Sequence, residues 1–126
     1  MSLYGIGTDI IDISRIKKSF NKKVFKKKIF SDQEIKIIEN KSNKTANYAK
    51  RFAAKEAFSK ALGTGIAEGI SFKEISIMND RKGKPYIELL GKTKLIVRNI
   101  LKKKYKIFLS ISDERKYALA TVVITY

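Results

Sequence analysis

Cysteine, histidine and tryptophan are absent from this 126-residue chain, and proline occurs once. Without cysteine there is no disulfide framework, thiolate zinc site or thiol nucleophile. Without histidine there is no imidazole to move protons near neutral pH. No apolar run approaches the ~20 residues of a membrane span, and Met1-Ser2-Leu3-Tyr4-Gly5 lacks the basic and apolar blocks of a signal peptide. These absences predict a cytoplasmic protein. Any chemistry must come from carboxylates, lysines, hydroxyls and a hard cation.

Acidic residues are also scarce, 12 against 28 lysines and arginines, giving a formal net charge of +16. Such a balance predicts an anionic partner: nucleic acid, anionic lipid, a phosphorylated metabolite or an acidic protein. Lysine far outnumbers arginine, and isoleucine and asparagine are plentiful, as AT-rich codon usage would produce. Most of the excess charge is therefore assigned to that bias, and function to particular clusters. With 44% hydrophobic and 32% charged residues the composition is globular. The length fits one domain over residues 1–126, able to bury roughly two-thirds of its unfolded surface.

Leu3 to Ile11 is apolar and β-branched and reads as a buried first strand, with Asp9 near its carboxyl end. From Ile13 the period becomes helical: Ile13, Ile16, Phe20 and Val24 recur between lysines and Arg15, an amphipathic basic helix interrupted near Asn21. Ser31 and Glu34 form a capping-box signature, with Phe30 and Ile35 as its hydrophobic staple, for a short helix to about Asn40. A longer helix is expected from Thr45 to Leu62, stopped by Gly63 and Gly65. At 100° per residue Ala53, Ala54, Ala57, Phe58 and Ala61 share one face, and Lys55, Glu56, Ser59 and Lys60 the other. Phe52 interrupts that polar side, which marks it as a cleft wall.

Phe72 to Met78 and Tyr86 to Leu89 read as strands around a turn at 79–85, followed by a helix from Thr93 to Tyr105. Ile107 to Ser112 and Ala118 to Tyr126 form a closing hairpin. The order predicts an α+β fold, with helices packed on a mainly antiparallel sheet of about five strands.

Two carboxylates stand out. Asp9 lies within the apolar run Ile6-Gly7-Thr8-Asp9-Ile10-Ile11, and Glu56 is bracketed by Lys55 and Lys60. Magnesium takes one or two carboxylates and leaves its other positions to water and substrate phosphates, so the pair suits a partial magnesium site. Each acid also has an ordinary structural explanation, Asp9 as a cap after the strand and Glu56 as an i,i+4 ion pair with Lys60. Arg51, Lys55 and Lys60 with Gly63-Thr64-Gly65 offer cations and close backbone approach for a diphosphate. An exposed helix with a glycine cap explains the same residues. No Walker loop is present.

Gly5-Ile6-Gly7-Thr8-Asp9-Ile10 with Arg15-Ile16, then Arg51-Phe52-Ala53-Ala54-Lys55-Glu56-Ala57 with Lys60-Ala61 and Gly63-Thr64-Gly65, resemble the holo-[acyl-carrier-protein] synthases, the small bacterial phosphopantetheinyl transferases. Gly83-Lys84-Pro85, Ser110-Ile111-Ser112 and Tyr117-Ala118 match later family motifs in order, so the resemblance spans nearly the whole chain. It implies the phosphopantetheinyl transferase fold and Mg²⁺-dependent transfer of 4′-phosphopantetheine from coenzyme A to a serine of apo acyl carrier protein, in fatty acid biosynthesis. It implies Asp9 and Glu56 as metal ligands, with Lys60 catalytic beside them. Arg51, Lys55, Lys60, Gly63, Gly65, Lys84 and Pro85 fall at the coenzyme A site, and Arg15 where the acidic carrier protein docks. A homotrimer with sites between subunits is also implied, and neither nucleic acid nor membrane is a partner. One position departs from the family pattern: Asp113 stands where histidine usually follows Ser110-Ile111-Ser112, and reads as a turn aspartate. Glu56 or a water on the metal are then the candidates for the base.

The net charge and Lys26-Lys27-Lys28 also permit a basic nucleic-acid-binding module, although a basic strand face interleaved with aromatics is not evident. The segment from Ile13 to Phe25 permits a binding protein for acidic helices or anionic membranes.

Overall fold

The computed structural model describes residues 1–20, 22–64 and 68–126. Its elements run β1 (Leu3–Asp12), α1 (Ile13–Ser19), α2 (Lys23–Ile29), α3 (Asp32–Glu39), α4 (Lys44–Leu62), a 3₁₀ turn (Phe72–Glu74), β2 (Ile75–Asn79), β3 (Pro85–Leu89), α5 (Gly91–Leu101), β4 (Lys106–Asp113) and β5 (Tyr117–Thr125). The fold is α+β and its strand pairings are antiparallel, but the five strands form two sheets, β1-β5-β4 and β2-β3. Alternation alone marks strands and does not say which of them share a sheet.

β5 is the central strand, and its residues Ala118, Ala120, Val122 and Ile124 are fully buried. That period of two sends one face of the sheet onto α4. Helix α4 is central in its turn, with twelve of its 19 residues buried, and Asn43 and left-handed Gly63 close its ends. Close approach of β1 to α4 is possible only because β1 carries glycines. A Cβ on Gly7 would lie 2.0 Å from the Ala57 carbonyl oxygen and 2.6 Å from the Ala61 nitrogen, and one on Gly5 would lie 2.0 Å from the Ala61 carbonyl oxygen. Gly7→Ala must therefore push strand and helix apart. We expect a loss of about 1–3 kcal/mol and a Tm lowered by roughly 3–15 °C. Thermal unfolding followed by circular dichroism checks this, and an unchanged Tm would show that the contact yields freely.

Several expected boundaries move. The basic amphipathic segment is two helices, α1 capped by Asp12 and α2 starting after Lys22, while Asn21 lies outside the described residues. The strand expected from Phe72 opens with a 3₁₀ turn. Helix α5 begins earlier than expected, because Glu74 reaches across to accept from the backbone of Lys92 and Thr93 and from the Thr93 hydroxyl. It ends at Leu101 and not at Tyr105, since Lys102 takes the left-handed conformation. The Ser31–Glu34 capping box is present in full, and Phe30 and Ile35 lie in one apolar cluster.

Candidate active site

Alternation along β1 puts Asp9 on the same face as Gly7, toward α4. On the helix, Glu56 and Lys60 immediately precede Ala57 and Ala61, which the β1 glycines touch. The close β1–α4 packing therefore brings two acids and a lysine, far apart in sequence, to one place. Lys60 Nζ donates to Asp9 Oδ1 at 3.1 Å and to the Thr8 carbonyl at 3.0 Å. Asp9 is thus no helix cap, and Lys60 reaches across to the strand. Partial burial raises the Glu56 pKa above the ordinary carboxylate range; the charge of Asp9 adds to the rise, and Lys60 opposes it. The two acids feel one another.

Asp9 and Glu56 line an open cavity of about 770 Å³, together with Arg15, Lys28, Phe52 and Ser71. Phe52 is the cleft wall its position on the polar side suggested. Ser71, in the wall before the 3₁₀ turn, carried no local sequence signal.

Lys55 corrects the expected polar face. Its side chain is completely buried, and Nζ donates to Glu34 Oε1 at 2.7 Å, the Phe72 carbonyl at 2.8 Å and the Ile75 carbonyl. With all three donors engaged inside the protein, it presents none to a diphosphate. The reason is that α4 packs on the three-stranded sheet along one side and on α3 and β2 along another, leaving only the strip with Glu56 and Lys60 partly open. Ser59, on the same expected face, is buried as well. Burial lowers the Lys55 pKa to about 8, with the charge and hydrogen bond of Glu34 holding it up.

Arg51 lies at the other end of the same buried stripe, its guanidinium donating to Asn79 Oδ1 at 2.9 Å and to Asn47 Oδ1 at 3.3 Å, while Nε has no partner among the described residues. It therefore stands beside the β2–β3 turn, where exposed Lys84 precedes Pro85. None of Arg51, Lys84 and Pro85 lines the Asp9–Glu56 cavity. Gly63 caps α4 with φ +88° and open space beside it, and Gly65 lies outside the described residues. Asp113 ends β4 and forms an ion pair with Lys50 of α4 at 3.2 Å, so it is more than a turn residue. Lys50 carried no signal in the sequence.

The donor set of Asp9 and Glu56 is all oxygen, which suits a hard cation. Among the described residues no group of three or more potential ligands encloses a metal. Two carboxylates would leave most positions of a magnesium shell to water and phosphate. Repulsion between the two acids is what a bound cation would relieve.

Comparison with known proteins bears on this geometry. Residues 5–122 match the family model of the 4′-phosphopantetheinyl transferase superfamily. A holo-[acyl-carrier-protein] synthase from Pelagibacter ubique is 47% identical over 125 residues, covering 98% of each chain. The crystal structure of the holo-[acyl-carrier-protein] synthase from Neisseria meningitidis superposes with a TM-score of 0.87 at 38% identity, covering 98% of this chain and 99% of that one. The Helicobacter pylori enzyme, solved in complex with coenzyme A, gives a TM-score of 0.82 at 34% identity, covering 95% of this chain and 99% of that one. With a family model spanning nearly its whole length and relatives of this similarity end to end, the chain belongs to the 4′-phosphopantetheinyl transferase superfamily, among the holo-[acyl-carrier-protein] synthases.

Proposed function

We propose that this protein transfers 4′-phosphopantetheine from coenzyme A to a serine of apo acyl carrier protein, with Mg²⁺ held by Asp9 and Glu56. The meeting of those two acids in the wall of a cavity large enough for a diphosphate carries the reading. The serine oxygen attacks the phosphorus that bears pantetheine. The bond from that phosphorus to the bridging oxygen of the diphosphate breaks, and adenosine 3′,5′-bisphosphate leaves with the electron pair. A magnesium ion, when bound, neutralises diphosphate charge and orients it for in-line displacement. Lys60, held at 3.1 Å from Asp9, adds a positive charge beside the leaving group. Glu56, in the same cavity wall, is the candidate for the base that accepts the serine proton.

Of the other residues that the resemblance assigns to coenzyme A, Arg51, Lys84 and Pro85 lie together at a second place on the same chain. Arg51 and Glu56 are five positions apart on α4, about 140° around the helix, so they cannot face one ligand together. A second copy that brings its Arg51 region to the Asp9–Glu56 cavity would unite the two halves. The outer face of the β1-β5-β4 sheet supports this, because Ile6 and Ile10 are 63% and 64% exposed, with Phe108 and Leu119 beside them. Such an apolar face suits burial in an oligomer, and we assign it to a homotrimer with sites between subunits. Arg15 and Lys28 edge the cavity, and lysines of α1 and α2 continue the positive charge. An acidic carrier protein would be steered there, and association should weaken with salt. No helix among the described residues is long and apolar enough to cross a membrane, and we place the reaction in the cytoplasm.

Mass spectrometry of apo carrier protein incubated with the enzyme, coenzyme A and Mg²⁺ tests the activity. One phosphopantetheine added to one serine is expected, and no mass change would sink the reading. The shared site is tested by mixing chains: Glu56→Gln and Arg51→Ala should each be inactive alone, yet their co-refolded mixture should recover part of the activity. No recovery would put the whole site on one chain.

A further inference from the structure

At the opposite end of the three-stranded sheet lies a second cavity, of about 700 Å³, which the transfer reaction does not use. Thr125 in its wall pairs with Leu3, whereas Asp9 pairs with Ala120 six residues further along β1. At about 3.3 Å per residue the two cavities are on the order of 20 Å apart. The second one is lined by Arg98, Lys102, Lys103, Lys104 and Lys106, with Tyr105 and Tyr126 as its rings, and among the described residues no aspartate or glutamate side chain takes part.

Two observations single out this place. First, five cations from nine successive positions surround one concavity, far more than the roughly half charge at the carboxyl end of α5 calls for. Second, Lys102 ends α5 with φ 58° and ψ 3°, a left-handed conformation that glycine would adopt without strain. A lysine at such a position puts a charge at the cavity where the unstrained residue, glycine, would put none.

We propose that this cavity is a binding site for a compact polyphosphate, an organic anion carrying two or more phosphates. Its volume lies within the ~300–1,000 Å³ range of small-molecule sites. Lysine ammoniums bind phosphate as point charges without the planar geometry that a carboxylate fork prefers. Lys103 lies 5.1 Å from the centre of the Tyr126 ring, which keeps its charge at the cavity and gives an aromatic surface against which a nucleoside ring could rest. The same chemistry has two sources, a free nucleoside polyphosphate or the backbone of a single-stranded nucleic acid; the concave shape favours the free molecule.

The test is a titration of the isotope-labelled full chain with inorganic tripolyphosphate at about 0.15 M salt, without Mg²⁺, followed through its backbone amide resonances. Saturable shifts at residues 102–106 and 125, at one ligand per chain, are expected. The variant Lys102→Gly, Lys103→Gln, Lys106→Gln should bind there at least tenfold more weakly, with phosphopantetheine transfer unchanged. Glycine suits the left-handed position, so this variant keeps its fold. Shifts that do not saturate, or a variant that binds within twofold of the parent, would overturn the proposal. ATP saturating the same amides at least as tightly as tripolyphosphate would support a nucleoside polyphosphate. A uridine decamer binding there more tightly than either would overturn the small ligand in favour of a nucleic-acid strand.

Discussion

Replacing Asp9 by alanine, or Glu56 by glutamine, is expected to lower transfer by about three orders of magnitude or more while the chain stays folded. Removing either acid halves the donor set for the cation, and a cation at a transferring phosphoryl group is worth several kcal/mol, each ~1.4 kcal/mol being tenfold in rate. Neither residue is needed for packing in the way its neighbours are. Glu56 is only partly buried and its environment disfavours its charge, so the glutamine variant should be at least as stable as the parent. The measurement is kcat/KM by carrier-protein mass shift, with thermal unfolding as the control. A parental rate in both variants would remove the metal site from the reaction.

The raised affinity of Glu56 for a proton carries a pH consequence. Burial, helped by the charge of Asp9, favours the protonated carboxyl in the metal-free protein, and protonation removes a ligand. A group with a raised pKa takes up its proton at higher pH than an ordinary glutamate. Apparent Mg²⁺ affinity should therefore fall as pH drops through that raised range, before an ordinary carboxylate would titrate. Titration of magnesium at several pH values checks this, and Glu56→Gln should flatten the dependence. A profile identical in the two proteins would assign the proton elsewhere.

What was legible in the sequence is what depends on local pattern. The capping box at Ser31 and Glu34, the alternation of β5 and the stop at Gly63 are written in a few adjacent residues, and all three appear in the fold. Asp9 and Glu56 could be named as a pair because one sits in an apolar run, the other among cations, and two carboxylates suit a partial magnesium site. Which side of α4 stays open could not be read. A helical wheel divides polar from apolar residues, but α4 is packed on two sides, so Lys55 went inward with the alanines while Lys60 reached for Asp9. The division of the five strands into two sheets depends on contacts between distant segments. So does the separation of Arg51 from Glu56, which periodicity makes visible only once the structure shows that Arg51 turns to Asn79.

Lys55→Met is expected to cost about 3–5 kcal/mol of stability, because it strands a carboxylate in the interior. Glu34 is completely buried; Oε1 accepts from the Ser31 backbone and from Lys55 Nζ, and Oε2 accepts from the Ile77 backbone at 3.1 Å. Those contacts join the start of α3, the middle of α4 and strand β2. Lys55 adds the Phe72 and Ile75 carbonyls, fixing the turn whose Phe72 packs edge-on against Phe52 at 5.8 Å in the cavity wall. Methionine fills similar volume, so the cost is mainly electrostatic, and it should shrink when the stranded charge is also removed. The double variant Lys55→Met, Glu34→Gln removes that charge, keeps an oxygen for one of the two backbone donors, and should recover part of the loss. Denaturant unfolding of the parent, both single variants and the double one measures the coupling. Additive losses would show that the pair is held by its separate backbone contacts and that the charges contribute little to one another.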